Sequence, residues 1–121
     1  MITRSGDVDA LPVHHIEGEP VRDGTLLVKA LLVGSGMTML ETFFPQGVRA
    51  PAHTHEHESL LYVVTGRLRM FVGPAEYILG PGDASQHAQG VSHRIEAIED
   101  SLVLEVKSPP PDLGRLFGTN A

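Results

Sequence analysis

Glycine and proline interrupt this chain so often that few of its pieces could hold a long helix. Thirteen glycines and nine prolines are spread over 121 residues. Proline lacks the N–H that a helix interior needs, and glycine costs about 1 kcal/mol there relative to alanine. The pieces between the breaks are short and rich in β-branched or aromatic residues: "TLLVKALLV" (Thr25–Val33), "MTMLETFF" (Met37–Phe44), "SLLYVV" (Ser59–Val64), "RLRMFV" (Arg67–Val72) and "SLVLEVK" (Ser101–Lys107). Each is bounded by Gly, Pro, Asp or Ser, which is the signature of strands. "VTGRL" is a tight connection in which Gly66 takes the positive φ of a hairpin, and "LGPGD" (Leu79–Asp83) is a further turn. Many short strands separated by turns predict an all-β sandwich or barrel.

A chain of this length fits one domain with a core of its own. Residues 1–23 are weakly patterned and are expected to form a loose arm or an edge strand. Residues 24–108 should form the barrel. Residues 109–121 should leave it as an extended segment through "SPPPD", with one helical turn in "DLGRLFG".

Several function classes drop out on composition. Without cysteine there are no disulfides, zinc ribbons, thiol nucleophiles or iron–sulfur clusters, and a reducing cytoplasm is the expected location. A formal charge of −6 without a basic cluster argues against nucleic acid. No apolar run is long enough for a signal peptide core or a membrane span, so no membrane partner is expected. Neither a G-x-S-x-G elbow nor a phosphate-cradling glycine loop is present.

Residues two apart on a strand share a face. Ser59, Leu61 and Val63 therefore oppose Leu60, Tyr62 and Val64, and Leu68, Met70 and Val72 oppose Arg67, Arg69 and Phe71. The Ser59 strand is apolar on both faces, which predicts cover on both. A second layer of the same fold covers only one of them, so a partner subunit or the N-terminal arm should cover the other. A homodimer is the expected assembly.

The stretch "HTHEHESL" (His53–Leu60) holds three of the seven histidines. On an extended segment His53 and His55 point the same way and make a good chelate for an ion, although a solvated surface pair fits the same spacing. His14 and His15 read as solvated or hydrogen-bonded side chains. Glu58 is one residue out of phase with Ser59 and should point away from it.

"GVRAPAHTHEHESLLYVVTG" resembles the first motif of the cupin superfamily, G-x5-H-x-H-x3-E-x6-G, through Gly47, His53, His55 and Gly66. "GDASQHAQGVSH" resembles the second, G-x5-P-x-G-x2-H-x3-N, through Gly82, Gly90 and His93. With "HEHES" and "SPPPDLGRLF", the chain is similar to the small single-domain bacterial cupins of the RmlC-like type. The resemblance implies a double-stranded β-helix, or jelly-roll, barrel of antiparallel strands. It also implies a divalent metal ion (Zn, Mn, Fe or Ni) on His53, His55 and His93.

Three motif positions depart from the family: Ser59 stands at the Glu or Gln ligand position, Ala88 at the proline and Ala97 at the asparagine. Serine is a poor ligand beside carboxylate or imidazole, so Ser59 is expected to hydrogen-bond a metal-bound water. His57 lies in the turn and is not a ligand in the related small cupins. His87, where the family has an apolar residue, is either a buried histidine bonded to a backbone carbonyl or a general acid or base. Arg49 and Arg94 flank the ligand segments and could meet an anionic substrate, or else lie solvated.

The nearest resemblance is to the cupins of pectin degradation that linearise unsaturated uronates. It implies a metal-dependent enzyme, of isomerase or lyase type, acting on a carbohydrate-derived or carboxylated small molecule. An iron-dependent dioxygenase and a non-catalytic binding cupin with a degraded metal site are the alternatives. Ser59, Ala88 and Ala97 lean toward the last.

Overall fold

The structure is a computed structural model that describes residues 1–118, so the last three residues of the expected 109–121 tail lie outside the described residues. After a short 3-10 turn at Ser5–Asp7 come β1 (Leu11–Val13) and a small hairpin of β2 (His15–Ile16) and β3 (Glu19–Pro20). The longer strands follow: β4 (Leu26–Val33), β5 (Thr38–Phe44), β6 (Arg49–His53), β7 (Glu58–Thr65) and β8 (Leu68–Val72). Then come β9 (Ala75–Leu79), β10 (Ala84–His87), β11 (His93–Ala97), β12 (Ser101–Ser108) and a helix, α1 (Leu113–Phe117).

Two antiparallel sheets form a jelly-roll β-barrel. One has the strand order β1-β4-β5-β12-β7-β10 and the other β6-β11-β8-β9. The alternation seen in the sequence carries through. Ser59, Leu61 and Val63 are buried on β7, as are Leu68 and Met70 on β8. Leu61, Val63, Leu68 and Met70 meet Leu40, Phe44 and Val103 from β5 and β12 in one core. Gly66 has φ +93° between β7 and β8. A Cβ there would lie 2.2 Å from Ser101 Oγ and 2.4 Å from the Asp100 carbonyl, so the turn needs glycine for space as well as for its angle.

After residue 23, the sequence marks β6 only as an extended segment carrying His53, and it does not single out β9, β10 and β11, their sequences "AEYIL", "ASQH" and "HRIEA" being short or polar. The bend after the histidines covers Glu56 and His57, and Glu58 already belongs to β7. Pro51 sits on β6, an edge strand, where its missing N–H costs no ladder bond, and the register slips by one residue beside it.

The N-terminal segment is not loose. β1 pairs with β4 at the edge of the larger sheet, and Val13 and Ile16 enter the core. It leaves the outer face of β7 open: Leu60 is 51% and Tyr62 48% exposed. The expected outer cover is thus not supplied by the arm.

At the other end, Asp112 caps α1 by accepting the Arg115 N–H, and Gly118 closes it with φ +65°. Five residues are too few for a helix to persist alone. Burial of Leu116 and Phe117 holds it, contributing about 1.5–3 kcal/mol each.

Candidate metal centre

Strand register gathers polar side chains from distant parts of the chain. In the larger sheet Lys107 of β12 lies opposite Ser59 of β7, and Ser59 lies opposite His87 of β10. Directly opposed residues share a face, so the three form one buried row inside the barrel. In the smaller sheet His93 of β11 lies opposite His53 of β6. His55 joins them from just beyond the end of β6.

The ring centroids of His53 are 4.4 Å from those of His55 and 4.3 Å from those of His93. One ligand nitrogen from each of the three lies within 4.8 Å of the others. A shared ion would lie about 2.0–2.1 Å from each nitrogen, so nitrogens near the 4.8 Å limit must draw together to hold it.

Each ring is also anchored. Nδ1 of His53 faces the Pro51 carbonyl, Nδ1 of His93 the Val91 carbonyl at 3.4 Å, and Nδ1 of His55 the Glu17 carboxylate at 3.2 Å. These acceptors call for a proton on Nδ1, which leaves the Nε2 lone pair of all three rings for an ion. The residues present therefore fit a divalent metal.

Charge state agrees with that role. Burial, with the neighbouring charge of His93, lowers His53 from 6.5 to about 4. Burial, then the Lys107 ammonium, lowers His55 to about 2, so its contact with Glu17 is a hydrogen bond from a neutral ring. His93 is lowered as well, by burial first. Neutral imidazole is the form that binds metal.

His87 is buried and stacks on His93 with 4.1 Å between centroids. Its partner is the Ser85 hydroxyl at 3.0 Å, and among the described residues no backbone carbonyl bonds it. Burial lowers it to about 4. His57, which the sequence places in the turn, is buried and stacks on His55 at 4.2 Å, with an Nε2 that has no partner among the described residues.

Ser59 is fully buried, but its hydroxyl accepts a bond from Lys107 Nζ at 2.8 Å. The expected partner was a metal-bound water; β12 supplies a cation to that oxygen directly. Glu58 points outward and bonds Gln86, in keeping with its phase.

Arg49 and Arg94 lie outside the cavity. Arg49 pairs with Asp23 at 2.7 Å; Arg94 pairs with Glu96 at 2.8 Å and stacks on Phe71 at 3.6 Å. Alternation explains both placements: their strand neighbours Ala50, His93 and Ile95 take the inward positions.

Two charged residues of the cavity were missed. Glu105 and Lys107 line it together with the three histidines and His87. The Glu105 carboxylate lies 3.1 Å from Lys107 Nζ. Burial alone would raise Glu105, but the charge and hydrogen bond of Lys107, helped by His87 and His93, lower it overall. The signal was in "SLVLEVK": Ser101, Val103, Glu105 and Lys107 share one face. Its opposite face, Leu102, Leu104 and Val106, is the apolar one.

The cavity measures about 30 Å³ and is partly open, and Leu116 and Phe117 of α1 line one side. Beyond them lies an open cleft of about 700 Å³, lined by His57, Glu17, Arg115 and the prolines at 109–111. His55 and Leu116 border both spaces.

The family model described as Cupin domain matches residues 39–106, more than half of the chain. The chain belongs to the cupin family. A search of curated proteins finds no match. Among solved structures, this cupin is similar to KdgF from Halomonas sp., with 25% identity, a TM-score of 0.81, and 93% of this chain and 97% of that one covered. An RmlC-like cupin from Shewanella frigidimarina is 17% identical with a TM-score of 0.80 over 92% of each chain. A predicted oxalate decarboxylase from Thermotoga maritima is 20% identical with a TM-score of 0.79, covering 89% of this chain and 98% of its own. The last two likenesses concern the fold.

Proposed function

We propose that this cupin is a metal-dependent enzyme of isomerase or lyase type, acting on a carbohydrate-derived or carboxylated small molecule. The observation that carries the reading is one cavity holding both halves of such chemistry. His53, His55 and His93 present three neutral imidazoles toward a common point, and Glu105 and His87 stand beside them. A bound divalent ion would polarise a hydroxyl or carbonyl oxygen. The chain itself supplies the rest. Glu105, kept ionised by Lys107, and His87, kept neutral by burial, are the groups able to take a proton from a bound molecule. Likeness to KdgF over nearly the whole chain supports an unsaturated uronate as the first compound to try.

Metal analysis of protein purified without added metal, paired with NMR detection of uronate ring opening, tests this. The expected result is a stoichiometric divalent ion that survives Ser59→Ala and is lost in His93→Ala, with turnover following the metal. Iron with oxygen uptake would replace this reading by the dioxygenase. A binding cupin without catalysis is favoured by one observation, the Ser59 hydroxyl held by an ammonium at the motif's ligand position. Protein that holds no metal under any condition would establish that second reading.

We further infer a homodimer formed through the outer face of the six-stranded sheet. Leu60, Tyr62 and Val64 form a contiguous exposed apolar strip on β7 there.

A further inference from the structure

A buried ammonium is costly unless partnered, and Lys107 is only 4% exposed. It has two partners among the described residues, Ser59 Oγ at 2.8 Å and Glu105 Oε2 at 3.1 Å. An ammonium carries three N–H donors. One therefore remains for whatever occupies the cavity that Lys107 lines.

Formal charge then restricts the occupant. Lys107 and Glu105 cancel, and the histidines are neutral, so the cavity as built carries no net charge. A divalent ion on His53, His55 and His93 would raise it by two. In the cupin motif a carboxylate can sit at the position of Ser59 and offset part of that charge; the serine offsets none. A buried excess of this kind favours an accompanying anion.

We propose that Lys107 is an anion-receiving group, and that a divalent metal and a small carboxylate bind this cavity cooperatively, the carboxylate taking the free N–H of Lys107. This rests on the metal reading above and narrows it to acids whose carboxylate enters the barrel first. A cavity of about 30 Å³ admits little more than that group.

The test is calorimetric titration of metal-free protein with Zn²⁺ in chloride-free buffer, with and without formate, and with formamide as the neutral analogue. Formate should tighten Zn²⁺ binding by about five-fold or more, and formamide by less than about two-fold. Because formate could touch the ion without help from the protein, Lys107→Met decides. That variant should still bind Zn²⁺ and should show a formate effect below about two-fold. If Lys107→Met fails to fold around an unpaired Glu105, the double variant Lys107→Met with Glu105→Gln removes both charges and should behave the same way. Zn²⁺ binding that ignores formate in the wild type, or a full formate effect without Lys107, overturns the proposal and leaves the metal reading intact. Absence of Zn²⁺ binding in the wild type, with formate or without, removes the metal reading and the proposal together.

Discussion

Five imidazoles stand in mutual contact in this barrel, and burial holds each of them below the ordinary histidine range. In the unfolded chain the same rings take up protons near 6.5, and in the folded protein His53, His57 and His87 do so only near 4. Between those values the unfolded state binds protons that the folded state refuses. Stability of the metal-free protein is therefore fully present above the unfolded value and lost as pH falls toward the folded one. Thermal melts from about pH 7 down to about pH 4 should show Tm falling throughout that window. A flat Tm would mean that the rings are hydrated. The ligand histidines were legible because a motif carries them at fixed spacing. Lys107 was not, since nothing in chain order says that it falls opposite Ser59, 48 residues away.

Among the elements, the long apolar strands were legible and the short polar ones were not. "SLLYVV" announces itself by composition; "ASQH" becomes a strand only because β7 offers it a ladder. Turn chemistry was the more dependable guide, and Gly66 is the clearest case. Gly66→Ala combines a positive φ with Cβ contacts of 2.2–2.6 Å to Ser101 and Asp100. It should destabilise the fold by about 2–5 kcal/mol, the sum of a left-handed penalty and overpacking. Urea unfolding measures this, and a loss below about 1 kcal/mol would show that the β7–β8 hairpin moves away from Ser101 at little cost.

At the scale of the whole molecule, the proposed dimer rests on the apolar outer face of the larger sheet. Sedimentation should find a dimer at micromolar concentration, and Tyr62→Glu, which puts a charge at its centre, should give monomers that still bind metal. A monomeric wild type would refute the dimer. The barrel mouth carries a different consequence. Glu17, on the N-terminal hairpin, bonds His55 through its side chain and the Leu116 carbonyl through its N–H. The N-terminal hairpin and α1 thus meet at the wall between the open cleft and the cavity. If a guest enters through that wall, it passes as Leu116 withdraws, at a rate set by how readily a five-residue helix lets go. Residence times in this barrel would then be governed by the fraying of α1, and two ligands of very different affinity could arrive at nearly the same slow rate.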